Sequence, residues 1–568
     1  MTDVTVEGGL DEPTEPEQGS LDLASPEDTW TVADWEQQAA AVLRRTKRLG
    51  EDQPDAMVWD TLTRTTLDGI GITPLGTPAL LDDLQTVGRP TRAGDWDVRA
   101  YVDGRDAKQA NEEALLDLDG GVTSLWLRVD ADTDLATLLD RVLLDLAPVV
   151  LDGADTASFA SYLEGRELHP GTNLGVPAAD ATAELARTAQ RLEIRGFVVD
   201  ATSVHDRGGS DAQELGWSMA TAATYLRTLV DGGLGVDDAA GLVEFRYAAT
   251  DEQFPTIAKL RAARRLWSRV LELSGASMEH RGMRLHAVTS RPMMSKYDPW
   301  VNMLRTTVAA FAAGVGGADS VTVLPFDSPL GRPDAFGRRI ARNTSHLLID
   351  ESHVAHVADP AGGSYAVEKL TDDLAGAAWQ ILGRLDEGAD LEVEIAETVA
   401  QREAAIARRE RPITGLTEFP HLGEALPERA PTDEWEGVRR YGASFEALRD
   451  DPAGSHVFLA TLGTVAQHTA RATFATNLFA AGGVAVDVAG PTKDADELVA
   501  AYGGQAVVCL AGSDATYQEW AAAAASALRA AGATHVIVAG KPVDYADDSC
   551  ATGVHALDFL TRTREKLA

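Results

Sequence analysis

The sequence predicts an α/β protein in which a (β/α)8 barrel of the TIM type is followed by a smaller, doubly wound parallel sheet. Three observations support this fold class. The chain has 568 residues, which is too long for one ordinary hydrophobic core. Short β-branched runs alternate with long helical stretches from about residue 95 to residue 410. The same alternation returns, after an irregular stretch, over residues 456–568.

The bulk composition limits the classes of protein to which the chain can belong. Apolar residues make up 45% of the chain and charged residues 24%, as in soluble globular proteins. The formal net charge of −38 disfavours binding to nucleic acid or to an anionic membrane surface, because both would repel it. No segment approaches the ~20 apolar residues that a membrane-spanning helix needs. We therefore expect no nucleic-acid partner and no membrane association.

Cysteine usage and the N-terminus indicate a compartment. Only Cys509 and Cys550 are present, and no spacing typical of metal ligands or redox pairs links them. So few cysteines in a chain of this length indicate a reducing environment. The N-terminus has neither the basic nor the apolar region of a signal peptide. We expect a cytoplasmic protein without a metal site.

The N-terminal region differs in composition from the rest of the chain. Residues 1–30 are acidic and rich in Gly, Pro and Ser, with little to bury. We expect them to be disordered, or to form an arm that orders on a partner. A helix with apolar spacing is predicted from Asp34 to Leu49, within a helical extension over residues 31–94.

Residues 95–410 are predicted to form the barrel, with helices at its C-terminal end. Six strand candidates are separated by helical stretches, two of which cover residues 211–230 and 256–273, and residues 366–410 are helical throughout. This βαβ rhythm fits a closed eight-stranded barrel better than an open sheet. The strand candidates are SLWLRV (124–129), PVVLD (148–152), GFVVDA (196–201), LVEFRYA (242–248), RLHAVT (284–289) and SVTVLP (320–325).

The C-terminal region is predicted to be a separate domain. Residues 411–455 are irregular and are expected to be a linker. Over residues 456–568, four strands alternate with alanine-rich helices, which is typical of a flavodoxin-like domain. Its ligands would bind outside the carboxyl ends of the strands, where the first loop, GTVAQHTAR (463–471), lies. The strand candidates are HVFLATLG, VAVDVAG, AVVCLAG and THVIVAG.

Four long stretches carry a resemblance to a known family: WDVRAY (96–101), AKLRAARRLW (258–267), RRIARNTSHLL (338–348) and DPAGGSYAVEKLTDDLAGAAW (359–379). Together with the domain order, they resemble the methylmalonyl-CoA mutase family. The resemblance covers nearly everything from residue 95 onward. It implies an adenosylcobalamin-dependent isomerase that interconverts methylmalonyl-CoA and succinyl-CoA through a radical formed when the Co–C bond breaks.

Catalytic members of that family carry D-x-H-x-x-G in the first loop of the C-terminal domain. The resemblance implies that the His binds the cobalt of cobalamin, that the Asp orients the imidazole, and that the Gly admits the corrin tail. Here Val465 stands at the Asp position, Gln467 at the His position and Ala470 at the Gly position, and Thr461 replaces a lysine that the family keeps. A valine cannot orient an imidazole, and an amide is a poor ligand for cobalt. We expect no cofactor and no metal on this chain.

His468 lies one residue beyond the ligand position of that motif. A slipped loop could present it to cobalt, but the Asp, the Gly and the Lys would still be missing. We expect an exposed loop histidine near the start of a helix.

In the barrel, the resemblance places Tyr101 at the family's active-site tyrosine and His205 at its catalytic histidine. The family precedes that His with Tyr and follows it with M-Q-E-A-G-A, whereas Val204 precedes it here and DRGGSD follows. The family's substrate-contacting T-I-Q-N-D stretch has no counterpart, because the chain is shortened between residues 150 and 195. We interpret Tyr101 and His205 as remnants that are held by hydrogen bonds.

Alternation along the strands predicts which side chains face the bore of the barrel. One face of SLWLRV is aliphatic, so Trp126 and Arg128 on its other face are expected to point inward. The same count adds Asp200, Glu244, Arg246 and His286. Because unpaired buried charges cost several kcal/mol, we expect the two arginines to pair with the two carboxylates. The resemblance implies a passage for the pantetheine arm of coenzyme A through the bore, which Trp126 and the paired charges would block here. A register shift of one residue would reverse every face.

The resemblance includes a heterodimeric form of the family, in which a catalytic large subunit pairs with a similar, non-catalytic small subunit. A chain that keeps the architecture without the ligand and its orienting group is similar to that small subunit. We therefore expect the large subunit as partner, with adenosylcobalamin bound there, and a stabilising role for this chain in propionate metabolism. Two alternatives stay open: an independent acyl-CoA isomerase that uses His205 and His468, and a pseudoenzyme that regulates cofactor loading through a chaperone.

Overall fold

The structure is a computed structural model that describes residues 28–82, 84, 92, 94–153 and 156–568. The chain forms two compact units. Within the described ranges, the first unit runs up to Thr65 and includes Gly71–Leu75, and the second contains Thr66–Ile70 and the chain from Gly76 onward. The acidic arm expected over residues 1–30 lies outside the described residues, apart from residues 28–30.

The first unit is built on the helix Val32–Arg45. Thr31 and Asp34 form a capping box at its N-terminus, in which each side chain accepts the backbone N–H of the other residue. The helix ends before Leu49, its predicted end, because Lys47 adopts a left-handed conformation with φ of 59°. A small apolar cluster of this unit contains Ala40, Leu43, Leu49 and Val58.

Eight parallel strands of the second unit close into a barrel, which confirms this part of the predicted fold. Each strand pairs with the next, and β8 pairs with β1, with Ser320 opposite Asp97. Six of the strands lie within two or three residues of the predicted bounds, whereas β1 and β4 were not among the candidates. The strands are β1 (Asp97–Asp103), β2 (Ser124–Arg128), β3 (Val149–Asp152), β4 (Asn173–Pro177), β5 (Arg195–Asp200), β6 (Val243–Ala249), β7 (Leu285–Thr289) and β8 (Ser320–Thr322).

The strand β4 is irregular, which explains why periodicity does not reveal it. Its register against β5 shifts between Asn173 and Val176. Gly175 has a φ of 73°, and a Cβ atom there would lie 1.8 Å from the carbonyl oxygen of Leu151. Asn173 stabilises the bulge by accepting the N–H of Gly175 (2.9 Å).

Helices follow or flank most strands. The α-helices are Val32–Arg45, Val58–Leu62, Ala107–Asp119, Leu135–Leu138, Thr156–Leu163, Ala183–Arg191, Thr202–Asp206, Asp211–Asp231, Val236–Gly241, Gln253–Leu273, Val301–Val315, Ala335–His346, Tyr365–Asp386, Leu391–Ala407, Ala443–Asp450, Val465–Ala481, Ala495–Ala501, Asp514–Thr516, Ala522–Ala530 and Ala556–Leu567. Two π-helical turns cover Leu347–Glu351 and Tyr517–Ala521. In the part of the chain that the structure describes, no helix combines the length and the apolar character needed to cross a membrane.

A separate five-stranded parallel sheet follows the barrel. Its strands are β9 (Val457–Thr461), β10 (Val486–Val488), β11 (Val507–Ala511), β12 (His535–Ala539) and β13 (Asp548–Cys550). They lie in the order β10-β9-β11-β12-β13, so the strand order reverses between β9 and β11. The short strand β13 was not among the sequence candidates.

The C-terminal sheet shares a hydrophobic core with residues that precede it. Leu459 and Phe479 of the sheet and its first helix pack in one cluster with Tyr297 and Ile406. Leu416 and Phe445, from the stretch expected to be an irregular linker, are fully buried in the same cluster, and that stretch contains the helix Ala443–Asp450. Residues 411–455 therefore pack as part of the second unit.

The bulge in β4 yields a stability prediction. Gly175→Ala places a Cβ against the carbonyl of Leu151, whereas Gly165→Ala, at the same φ of 73°, meets nothing within 4 Å. We expect Gly165→Ala to cost about 1 kcal/mol for its left-handed backbone, and Gly175→Ala to cost several-fold more because β3 and β4 must separate. Thermal unfolding of the two variants measures the difference. Equal shifts of the unfolding temperature would contradict this description of β4.

Candidate functional site

The indole of Trp126 occupies the centre of the barrel and is 2% exposed. The guanidinium carbon of Arg246 lies 3.9 Å from the centre of its ring, in a cation–π arrangement. The rings of Tyr101 and His286 meet the indole edge to face, at centroid distances of 4.7 and 5.5 Å. The indole N–H donates to Asp152 (3.0 Å). The predicted inward positions of Trp126, Arg246 and His286 are confirmed.

Two ion pairs neutralise charged side chains on the inner face of the barrel. Arg246 donates to Asp200 (2.6 Å), as predicted. Glu244 pairs with Arg99 (2.6 Å), and both side chains are fully buried. Burial acts to raise the pKa of Glu244, but the guanidinium groups of Arg99 and Arg284 outweigh it and hold this pKa below its usual value. Glu244 therefore stays ionised in the barrel interior.

His286 is a neutral link in this network. Its Nδ1 accepts from Arg246 Nε (3.2 Å), and its Nε2 donates to Thr322 Oγ1 (2.8 Å). Burial and the neighbouring guanidinium groups of Arg99 and Arg246 hold the pKa of His286 well below its usual value. A neutral imidazole is what this arrangement requires, because Arg246 cannot accept a hydrogen bond.

The predicted pairing of Arg128 with Asp200 or Glu244 is wrong. Arg128 ends β2 at the mouth of the barrel, where both of its terminal nitrogens donate to Asp433 (2.9 and 3.2 Å). Arg128 is the last residue of its strand, so its guanidinium lies at the mouth rather than beside the buried Glu244, and Asp200 is already bound by Arg246. Arg99, on β1, occupies the position beside Glu244 that was predicted for Arg128.

His205 follows β5 and is buried under the loop after β7. Its Nε2 lies 2.6 Å from Ser290 Oγ, which confirms that a hydrogen bond holds it. Its Nδ1 lies 3.9 Å from Glu214, whose carboxylate accepts from Lys259 (2.7 Å). Burial, and then the charge of Lys259, lower the pKa of His205 well below its usual value. The imidazole is therefore a neutral, enclosed hydrogen-bonding group.

Lys259 is charged although it is fully buried. Burial acts to lower its pKa, but the carboxylates of Asp211 (2.8 Å) and Glu214 (2.7 Å) outweigh burial and raise it.

Tyr101, the other sequence-predicted residue of the barrel, lies on β1 and does not join the cluster of His205, Glu214 and Lys259. Its ring contacts Trp126. Burial raises the pKa of Tyr101 beyond its usual range. The structure thus keeps Tyr101 and His205 in different clusters.

At the carboxyl end of β9, the expected loop is almost absent, because a helix begins at Val465. Thr464 caps this helix: the side-chain oxygen of Gln467 accepts the N–H of Thr464 (2.8 Å) and its hydroxyl (2.9 Å). Val465 is 59% exposed on the first turn, and Ala470 is exposed on the second. The prediction that residues 465–471 form a loop is wrong, and the capping box is the reason.

His468 and Thr461 are both buried at this end of the sheet. The expectation of an exposed loop histidine is wrong, since His468 lies within the helix and is 7% exposed. Its Nδ1 lies 3.3 Å from the carbonyl oxygen of Gly463. Thr461 donates to the carbonyl of Gly490 (2.5 Å) and so ties β9 to the loop after β10.

Two side chains that the sequence did not single out fill the crevice at the carboxyl ends of β11 and β12. The hydroxyl of Tyr517 lies 2.9 Å from the carbonyl oxygens of both Leu510 and Ala539 and shares its single proton between them. Its ring lies against the glycines that follow these strands, so that a Cβ at Gly512 would be 3.2 Å from a ring carbon. Arg471 stacks on the ring at 4.7 Å and donates to the carbonyl of Gly512 (2.6 Å). These two side chains thus fill the carboxyl edge of the sheet at β11, beside the switch point between β9 and β11 where open α/β sheets bind ligands.

Comparison with known proteins identifies the family. The family described as methylmalonyl-CoA mutase matches residues 180–487. The methylmalonyl-CoA mutase small subunit of Streptomyces virginiae is 42% identical, over 97% of this chain and 99% of its own length. The chain belongs to the methylmalonyl-CoA mutase family. The small subunit of Propionibacterium freudenreichii subsp. shermanii is 35% identical over 96% of both chains, and the Escherichia coli protein named methylmalonyl-CoA mutase is 26% identical over 77% of this chain.

Methylmalonyl-CoA mutases generally depend on adenosylcobalamin, and the residues at the edge of this sheet do not fit that group. Gln467 is engaged in a helix cap, and the imidazole of His468 faces a backbone carbonyl. The crevice beside them is filled by Tyr517 and Arg471. Among the described residues, no three His, Cys, Asp or Glu side chains are grouped so that they could hold a metal ion.

The sequence contained signals that would have located some of the missed residues. In DVRAYVD, valines and alanine alternate with Arg99, Tyr101 and Asp103, which is the pattern of a strand with a polar inner face. Recognising β1 would have placed Arg99 in the bore with Tyr101. No comparable local pattern marks Tyr517 or Asp433, because their contacts come from distant parts of the chain.

The enclosed His205 predicts a pH dependence of stability. The unfolded chain binds a proton at this imidazole below about pH 6.5, whereas the folded chain does not, so stability falls as pH decreases, by up to about 1.4 kcal/mol per pH unit. We expect His205→Asn to flatten this loss between about pH 7 and about pH 5 in urea unfolding. His286 retains a similar contribution in the variant, so the loss is reduced rather than abolished.

Ser290→Ala is the matched control, because it removes the same hydrogen bond but keeps the imidazole. It should lower stability at all pH values without flattening the slope. Identical slopes for the wild-type chain and His205→Asn would show that His205 becomes protonated in the folded state.

Proposed function

We propose that the chain is the small, non-catalytic subunit of an adenosylcobalamin-dependent methylmalonyl-CoA mutase, and that it stabilises a catalytic large subunit in a heterodimer. The observation that carries the proposal is the full-length similarity, at 35–42% identity, to proteins named as small subunits. Similarity to the Escherichia coli protein named without a subunit is lower and covers less of the chain. The reaction of the assembled enzyme is the interconversion of methylmalonyl-CoA and succinyl-CoA in propionate metabolism.

The contacts of the candidate site support a non-catalytic role for this chain. Tyr101 packs on Trp126 at the mouth of the barrel, whereas His205 is neutral and enclosed with Ser290 and Lys259, so its imidazole is not presented to a substrate in the bore. Trp126 and the charged side chains around it fill the interior of the barrel, where the pantetheine arm would need a passage. We therefore interpret Tyr101 and His205 as remnants of a catalytic barrel.

The C-terminal sheet is, in this proposal, a flavodoxin-like domain of the cobalamin-binding type that has lost its ligand site. Its strand order, second-first-third-fourth-fifth in the chain, supports the assignment. Thr461, Val465, Gln467 and Ala470 are the altered positions of the motif, so adenosylcobalamin would be bound by the large subunit. The corresponding boundaries are an arm over residues 1–30, an extension over 31–94, the barrel over 95–410, a linker over 411–455 and this domain over 456–568.

We further propose a cytoplasmic location. Cys509 and Cys550 are both free thiols in the interior, as expected for a protein from a reducing compartment.

Co-expression with a catalytic large subunit tests the proposal. We expect the two chains to co-purify in equal amounts, and the large subunit to be less stable when it is expressed alone. The isolated small chain, titrated with cobalamin, should give no change in the visible spectrum of the corrin. His205→Asn in the assembled enzyme should leave turnover unchanged, because the imidazole is not expected to contact substrate.

Two outcomes would favour the alternatives. Isomerase activity and cobalamin binding by the isolated chain would identify an independent acyl-CoA isomerase and contradict the proposal. Normal activity of the large subunit without this chain, combined with slower cobalamin loading in its absence, would identify a protein that regulates loading.

A further inference from the structure

A segment of the stretch after the barrel crosses the barrel mouth. We call residues 429–439 the strap. At one end, Arg429 pairs with Asp327 and Asp334, and the carbonyl of Ala430 accepts from Arg332, all in the loops after β8. At the other end, the N–H of Arg439 donates to the carbonyl of Asp206, after β5 (2.8 Å). The strap thus spans the carboxyl ends of the strands, where barrel enzymes carry their active sites.

The middle of the strap places carboxylates on arginines of the mouth. Asp433 receives two hydrogen bonds from Arg105 (2.9 and 2.8 Å) and two from Arg128 (2.9 and 3.2 Å). The next residue, Glu434, lies 3.5 Å from the buried Arg291. Hydrogen bonds from Arg105 and Arg128 lower the pKa of Asp433, so its carboxylate is ionised at neutral pH.

The guanidinium groups of Arg105 and Arg128 donate to the same carboxylate. Such a pair of guanidinium groups is suited to binding carboxylate or phosphate oxygens. Arg105 is shared, because it also donates to Asp103 (2.9 Å), whereas Arg128 has its hydrogen bonds to Asp433 alone among the described residues. The side chain of Asp433 is 44% exposed, so the occupant lies at the surface of the mouth. An open cleft of about 440 Å³, lined by Tyr101, Arg128, Asp152, Arg291 and the acidic residues of the strap, adjoins it.

We propose that Arg105 and Arg128 form an oxyanion-binding site at the mouth of the barrel, and that the strap fills this site with the chain's own Asp433. The site takes a carboxylate or a phosphate monoester when Asp433 is removed. The strap therefore denies the mouth to anionic ligands in the wild-type chain. This inference rests on the contacts of the strap and not on the proposed function.

Binding of inorganic phosphate to the full chain tests the inference. Asp433→Asn keeps the size of the side chain but removes the competing charge, so we expect the variant to bind phosphate at least about tenfold more tightly than the wild-type chain. Isothermal titration measures the affinity, and the rise of the unfolding temperature with phosphate, against chloride at equal ionic strength, provides a second measurement. Glu436→Gln, on the same strap, changes the net charge equally and should leave phosphate binding as in the wild type.

A double variant identifies the arginine that holds the anion. Adding Arg128→Gln to Asp433→Asn should abolish the gain in phosphate binding. The inference is overturned if Asp433→Asn binds phosphate no better than Glu436→Gln does, or if the gain survives the loss of Arg128. Acetate, titrated in the same way, should also bind Asp433→Asn better than it binds the wild-type chain. A gain that is confined to phosphate would contradict the proposal that the site takes a carboxylate as well as a phosphate.

Discussion

The buried ion pair between Arg99 and Glu244 is the constraint on which the rest of the barrel depends. A charge enclosed in a barrel must be matched within a few ångströms, because the interior cannot solvate it as water does. Once this pair and the pair of Arg246 with Asp200 are formed, His286 must be neutral to accept from Arg246, and the guanidinium of Arg246 can lie flat on Trp126. The two ion pairs, His286 and Trp126 together fill the bore, and their mutual hydrogen bonds and ring contacts fix their positions.

Three regions in which an enzyme of this architecture would need space are occupied by the chain's own side chains. Trp126 fills the bore, Asp433 occupies the site between Arg105 and Arg128 at the mouth, and Tyr517 fills the crevice of the C-terminal sheet. Each occupant adds hydrogen bonds or packing, so these contacts stabilise the fold where catalysis would require open, pre-organised cavities. In our account, the chain serves as a scaffold for its partner, and the hydrophobic core that the C-terminal sheet shares with the preceding residues keeps the barrel and the sheet in one unit.

The sequence was informative where a pattern is local. Six barrel strands, the long helices and the inward face of Trp126 follow from alternation and helical spacing, because these periods are set by the backbone. The bulge at Gly175 hid β4, and the capping box of Thr464 and Gln467 turned an expected loop into a helix. Arg128 was misassigned because alternation gives the face of a side chain but not its height along the barrel axis. The occupants Asp433 and Tyr517 depend on long-range contacts that no single-sequence pattern encodes.

A double-mutant cycle on the enclosed ion pair tests the central claim most directly. Glu244→Leu or Arg99→Met alone leaves a buried charge without its partner, and each should lower the free energy of unfolding by about 3 kcal/mol. The double variant should be more stable than either single variant, because no unmatched charge remains. Urea unfolding followed by tryptophan fluorescence measures all four proteins. Losses that simply add in the double variant would contradict an interior held together by mutual neutralisation.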